Sequence, residues 1–138
     1  MGKAVEIAQA PGFVGALPGG HAAPGEHGGA NCSGRQRQRL AIARAVIKPA
    51  AVYVFDDSFS ALDFKTDAKL RQALKADSQI NQGIVIIVAQ RIATVTQADE
   101  ILVLDGGQVV GQGTHEYLKA TNSTYQEIMH SQLREGEI

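Results

Sequence analysis

Apolar positions along the 138 residues fall into short blocks whose spacing changes from one to the next. Leu40, Ala43 and Ile47 recur every three or four residues and predict the apolar face of a helix, which Pro49 ends by removing a backbone donor. Ser33 followed by Gln36 forms the S-x-x-Q pattern of a capping box, so that helix is expected to begin there. The unbroken run Ala51–Phe55 predicts a strand buried on both faces, and Ile84–Ala89 repeats it. Between the two runs Leu70, Ala73 and Leu74 mark a second helix. Residues 91–98 predict a short helix, and Ile101–Leu104 with Gln108–Val110 predict a hairpin around Asp105-Gly106-Gly107. Two helices are expected near 115–120 and 123–133. At the other end, a short helix over Lys3–Ala10 precedes residues 10–31, where Pro11, Pro18 and Pro24 among many glycines predict mostly loop.

Strands alternating with helices argue for an α/β fold with a mainly parallel sheet covered by helices. Chemistry in such sheets gathers at the carboxyl ends of strands. Asp56-Asp57 and Gln90 each follow an apolar run directly, so they are expected to emerge together at one edge.

With 44% hydrophobic and 20% charged residues, the chain is expected to bury a modest core as one soluble globular piece. A formal charge of −1 lacks the basic excess that phosphate-backbone contacts need, which argues against nucleic acid as a partner. The apolar runs are far shorter than the roughly 20 residues that span a bilayer, and no charged-apolar-small leader opens the chain. A single cysteine, Cys32, has no disulfide partner, which fits a reducing, cytoplasmic setting. His21, His27, His115 and His130 show no metal-ligand spacing and are expected at the surface.

Three segments could carry chemistry. The first is Asn31-Cys32-Ser33-Gly34-Arg35-Gln36, where a helix N-terminus offers unpaired N–H groups and partial positive charge to an anion such as phosphate. Read alone, this is weak evidence, and the simpler reading is a Ser-capped surface helix with solvated arginines. The second is Val52-Tyr53-Val54-Phe55-Asp56-Asp57, which delivers two carboxylates able to hold the water shell of Mg²⁺ or to orient an attacking water. Read alone, it is a strand with an Asp-rich turn. The third, Ser60-Ala61-Leu62-Asp63, is by itself a turn and helix cap.

Together, in this order, these segments resemble the C-terminal part of the ATP-binding domain of ABC transporters of the exporter, multidrug type. Cys32-Ser33-Gly34-Arg35-Gln36 is similar to the Leu-Ser-Gly-Gly-Gln signature, and Arg37-Gln38-Arg39-Leu40-Ala41-Ile42-Ala43-Arg44-Ala45 continues it. Val52–Asp57 resembles the Walker B strand, Ser60–Asp63 the D-loop, and Ile84–Gln90 the strand and switch segment. The run Ala98–Val109 with Gly113-Thr114-His115-Glu116, and the glycine-rich Gly25–Asn31, also follow the family. On this resemblance, residues 1–33 are the end of the helical subdomain with its glycine-rich loop, and 34–138 are the C-terminal half of the ATPase core. The resemblance implies ATP and Mg²⁺ as ligands. It also implies a second ATP-binding domain and transmembrane domains as partners, and a place at the cytoplasmic face of the cell membrane. Ser33, Gly34, Arg35 and Gln36 would meet the partner's ATP in trans, Asp56 would hold Mg²⁺ through water, Asp57 and Gln90 would be catalytic, and Ser60 and Asp63 would lie at the dimer interface.

The departures carry as much weight. No G-x-x-x-x-G-K-[ST] phosphate loop occurs in the 138 residues, so the chain alone is expected to be inactive: a fragment or a remnant. Asp57 stands where the resemblance expects glutamate, with its carboxylate held roughly 1.5 Å back. Gln90 stands where histidine is expected and carries no positive charge. Paired losses of this kind favour the degenerate half of a heterodimer with weakened catalysis. Arg35 replaces a glycine and could either pair with phosphate or block its approach. The alternative readings are a non-enzymatic interaction module, or a truncated remnant that binds no ATP by itself.

Overall fold

The elements follow the expected order through most of the chain. The computed structural model describes residues 2–23 and 32–135, and the chain divides into two compact units, Met1–Val88 and Ala89–Ile138.

In the first unit, helices α1 (Gly2–Ile7) and α2 (Pro11–Ala16) are followed by a 3-10 turn at Gly20–Ala22. Residues 10–23 are thus more ordered than the proline and glycine content predicts. Pro11 sits in the first turn of α2, where its missing N–H costs nothing and its fixed φ already suits a helix. Pro24, His27 and the run Gly25–Asn31 lie outside the described residues.

Helix α3 (Gly34–Val46) starts at the predicted capping box, with the Ser33 hydroxyl accepting from the Gln36 N–H and Gln36 Oε1 accepting from the Ser33 N–H. Its buried face is Ile42, Ala43 and Val46, with Leu40 packed partly against the core. Ile47 does not belong to it: it is the residue after the last turn and is 44% exposed, because Pro49 forces the chain out of helical geometry.

Strand β1 (Val52–Asp56) and strand β2 (Ile84–Val88) pair in parallel, in register from Val52 opposite Ile84 to Asp56 opposite Val88. Neither is buried on both faces as the apolar runs predict. In β1 Tyr53 and Phe55 are buried while Val52 and Val54 are exposed, Val54 by 59%. In β2 Ile87 is half-buried and its neighbours are exposed, Ile84 by 63%. An unbroken apolar run signals a strand suited to two covered faces, but cover depends on what packs there.

Helix α4 (Phe64–Ala76) lies between the strands in sequence, with Asp63 as its cap and Leu70 and Leu74 buried. Its buried Asp67 is paired with Arg71 one turn on, at 3.0 and 3.3 Å, and this gives a carboxylate removed from water its hydrogen-bond donors. After α4, Asp77 accepts from the N–H groups of Gln79 and Ile80 and pairs with Lys3 at 2.7 Å, tying the end of α4 to α1. A 3-10 turn at Ile80–Gln82 leads to Gly83, which enters β2 so close to the end of α3's connection that a Cβ there would meet the Ala50 carbonyl oxygen at 2.7 Å.

The second unit holds the short helix α5 (Ile92–Val95), the antiparallel hairpin of β3 (Ile101–Asp105) and β4 (Gln108–Gly113), and helices α6 (His115–Thr121) and α7 (Ser123–Glu135). Gly106 and Gly107 both have positive φ, as a two-residue hairpin turn of the primed kind requires. A bulge between Val103 and Leu104 leaves the Val110 carbonyl to accept from the Asn122 side chain at 2.8 Å. Ile101 and Val103 point into a core with Ile92, Leu118 and Tyr125. Here His115 departs from expectation: its side chain is 18% exposed and its Nδ1 lies 2.8 Å from the buried Tyr125 hydroxyl. Burial pushes the Tyr125 phenol above its ordinary value, with Glu116 adding to the effect.

Candidate functional site

One corner of the first unit brings together most of the residues singled out from sequence. The capping box fixes Ser33 and Gln36 at the N-terminus of α3 and uses the N–H groups of both. The N–H groups of Gly34 and Arg35, the first two helical positions, have no acceptor among the described residues and face a partial positive charge outward. Gly34 and the Arg35 side chain are exposed, and a Cβ at Gly34 would meet nothing within 4 Å.

At the end of β1, Asp56 is exposed and its carbonyl accepts from the Ser58 hydroxyl at 3.3 Å. Asp57 follows with φ of +48°, a left-handed backbone that Asp tolerates better than most residues. Its N–H donates to the Val88 carbonyl at 3.1 Å, so the turn begins as one more rung between the strands. Its carbonyl accepts from the Ser60 hydroxyl at 3.0 Å and from the Ser60 N–H at 3.4 Å. Both Asp side chains are exposed, and among the described residues neither carboxylate is paired.

Two residues outside the expected site tie α3 to its neighbours, and the first of them reaches this turn. Gln38 Nε2 donates to the Asp57 carbonyl at 3.0 Å, and Gln38 Oε1 accepts from the Ala61 N–H at 3.2 Å. Arg39 Nη1 donates to the carbonyl of Gln9, itself in a left-handed conformation, and Nη2 reaches the Thr66 hydroxyl at 3.4 Å. Asp63 accepts from the Thr66 hydroxyl at 2.8 Å and from the Thr66 N–H at 3.0 Å. These two bonds, the hydroxyl first, hold its carboxyl below the ordinary Asp range. Ser33, Gln36, Asp57, Ser60 and Asp63 are therefore knit to the same few elements.

Gln90 belongs to the second unit. Its side chain is exposed, and its carbonyl accepts from Gln132 Nε2 at 2.6 Å while Gln132 Oε1 accepts from the Ile92 N–H at 2.8 Å. The amide of Gln132, on α7, thus holds the backbone of residues 90–92 at both ends. Nothing local in the sequence marks Gln132 or Gln38, because their partners are 40 to 42 and 19 to 23 residues away.

Among the described residues no cluster of three or more His, Cys, Asp or Glu could hold a metal by itself, and no helix is long and apolar enough to cross a membrane.

A scan against protein-family models matched none. The chain is 50% identical over 132 residues to an ABC transporter ATP-binding protein of Mycobacterium tuberculosis, which is itself uncharacterized; the match covers 96% of this chain and 22% of that protein. It is 42% identical over 123 residues to the ATP-dependent lipid A-core flippase of Neisseria gonorrhoeae, covering 89% of this chain and 20% of the flippase. Among solved structures, a bacterial Atm1-family ABC exporter with ATP bound superposes with a TM-score of 0.86 at 32% identity, over 94% of this chain and 22% of that one. The chain therefore spans about a fifth of the length of the proteins it matches. In sequence and in fold it is the C-terminal part of the ATP-binding domain of an ABC transporter of exporter type.

Proposed function

We propose that this chain is part of an ATP-binding subunit of an ABC exporter, in which two ATP-binding domains close head to tail and couple ATP binding and hydrolysis to transport through transmembrane domains. The observation that supports it best is the corner where the capped N-terminus of α3 and the carboxylate end of β1 are joined by hydrogen bonds. On this reading Ser33, Gly34, Arg35 and Gln36 face the γ-phosphate of the ATP held by the partner domain. The N–H groups of Gly34 and Arg35, left over from the capping box, are its electrostatic clamp.

On the chain's own side, Asp56 is an exposed hard-oxygen donor, the kind that suits a Mg²⁺ ion keeping most of its waters, and it would hold that ion through water. Asp57 faces the attacking water and Gln90 senses the γ-phosphate. Ser60 and Asp63 lie at the interface between the two domains, with Asp63 kept ionised by Thr66. The short Asp57 carboxylate and the uncharged Gln90 amide weaken hydrolysis at this site, which favours a heterodimer whose partner carries the stronger one. The location that follows is the cytoplasmic face of the membrane, through the transmembrane domains.

In the exporter that contains this chain, Asp57→Glu with Gln90→His is expected to raise phosphate release on the order of 10²-fold. Unchanged release would clear these two residues of the limitation, and Arg35→Gly would then be the variant to measure. The exposed apolar face of β1 and β2 favours one second reading for the chain by itself: an interaction module that docks without nucleotide of its own. Titration of the exporter that contains this chain with a fluorescent ATP analogue separates the two, since Asp56→Ala weakens binding there only if this chain helps to hold a nucleotide of its own.

A further inference from the structure

We propose that Gln38 is a positioning residue that mechanically joins the two sites to which this chain contributes: it links the capped N-terminus of α3 to the Asp57 turn and the Ala61 backbone. The inference rests on the reading above for what those sites bind, but its structural part does not. One turn into α3, beyond the capping box, the Gln38 amide spends both of its ends on the segment that follows β1. Its Nε2 holds the Asp57 carbonyl, and its Oε1 holds the Ala61 N–H.

The Asp57 carbonyl is the right place to hold. Asp57 has a left-handed backbone, φ +48°, which a residue with a Cβ keeps only when its surroundings impose it. Three bonds impose it on one side of the turn, from Gln38 Nε2 and from the N–H and hydroxyl of Ser60; the bond from the Asp57 N–H to Val88 imposes it on the other. The Ser60 bonds are internal to the turn and move with it. Gln38 alone among these donors belongs to α3, so a shift of that helix reaches Asp57 through this amide. A phosphate drawn to the N–H groups of Gly34 and Arg35 pulls on the same first turns of α3. Occupation of the partner's site is thereby reported to the carboxylate of this chain's own site through one side-chain amide.

Amide hydrogen exchange on the chain tests this without nucleotide. Gln38→Met keeps the stem and removes both bonds, so the Ala61 N–H is expected to exchange about five- to tenfold faster, the effect of one hydrogen bond. The Ile80 N–H, bonded to Asp77 elsewhere in the unit, should not change. Gln38→Glu keeps an acceptor for Ala61 and should restore its protection. Transmission is read with Ser33→Ala, which removes the helix cap. In the otherwise native chain it should quicken exchange at Asp57 and Ser60 by a few-fold, and in the Gln38→Met background it should leave both unchanged.

An equal effect of Ser33→Ala in both backgrounds overturns the proposal, as does no effect at Asp57 in either. A rise at Ile80 as large as that at Ala61 in Gln38→Met also overturns it, by showing a general loosening of the fold. Because no readout uses ATP, failure of the nucleotide reading would appear separately, in the titration and phosphate-release measurements.

Discussion

The two strand pairs answer the same problem differently. In the second unit, β3 alternates cleanly, with Ile101 and Val103 turned to the core and Leu102 and Leu104 to the outside. An antiparallel hairpin can live with one face in water. In the first unit, β1 and β2 are parallel, and strands so paired are normally covered on both faces. Yet Val52, Val54, Ile84, Val85, Ile86 and Val88 are all exposed. Each such side chain would gain about 1.5–3 kcal/mol on full burial. The hairpin leaves Leu102, Leu104, Val109 and Val110 exposed as well, so both pairs carry an uncovered apolar face, and parallel pairing is what makes that of β1 and β2 the unusual one.

The comparison is broken most severely from inside the first unit. Phe55, 1% exposed and with its ring tilted against that of Phe59 at 5.6 Å, joins the strand to its helices. Phe55→Ala is expected to cost about 3–5 kcal/mol in urea unfolding. In the second unit Gln132→Leu should cost about 1–3 kcal/mol, because it strands the Gln90 carbonyl and the Ile92 N–H. If that loss is under about 0.5 kcal/mol, the clamp on residues 90–92 is ornamental.

Acid separates the units next. Asp77 is held below the ordinary carboxyl range by its bond to Lys3 and then by the Ile80 N–H. Its folded pKa is depressed, so the unfolded chain binds the proton first and the contribution is present above the unfolded value of about 3.9. It is lost as pH falls below that value toward the folded one. Acid titration of stability should show a falling limb there that Lys3→Met flattens, whereas Tyr125, whose pKa is raised by burial, adds nothing in that range. The smallest effect sharpens the contrast most. Val54→Thr with Ile86→Thr, which keeps the β-branch, should leave unfolding within about 0.5 kcal/mol. The same pair should cut the binding of a hydrophobic dye and the self-association of the chain. Unchanged dye binding would mean that the exposed face lies elsewhere.

What the sequence disclosed and what it withheld divide along the same physical line. The capping box, the Asp63 cap and the glycine turn at 106–107 are local, each made by residues three or fewer apart, and each was legible. Apolar runs located β1 and β2 but could not say whether anything covers them, since cover comes from distant chain. Proline and glycine between residues 10 and 23 read as loop because the favourable place of Pro11 in a first helical turn is a matter of register. The site followed the same rule. Ser33, Gln36, Asp56, Asp57 and Asp63 stood out by pattern, while Gln38 and Gln132 work across the fold and resemble any surface glutamine in a helix.

Gly83 sets the alignment of a whole strand. Its Cα faces the Ala50 carbonyl so closely that even a methyl group would have to displace backbone, and the next residue, Ile84, already donates to Ala51 at 2.9 Å. Displacing that contact by one residue would turn every side chain of β2 to the opposite face. Ile87 would then leave the helices and Ile86 or Val88 would take its place. One hydrogen atom in place of a side chain thus acts as the zero mark of a ruler, from which the positions of Val88 and of its rung to Asp57 are counted off.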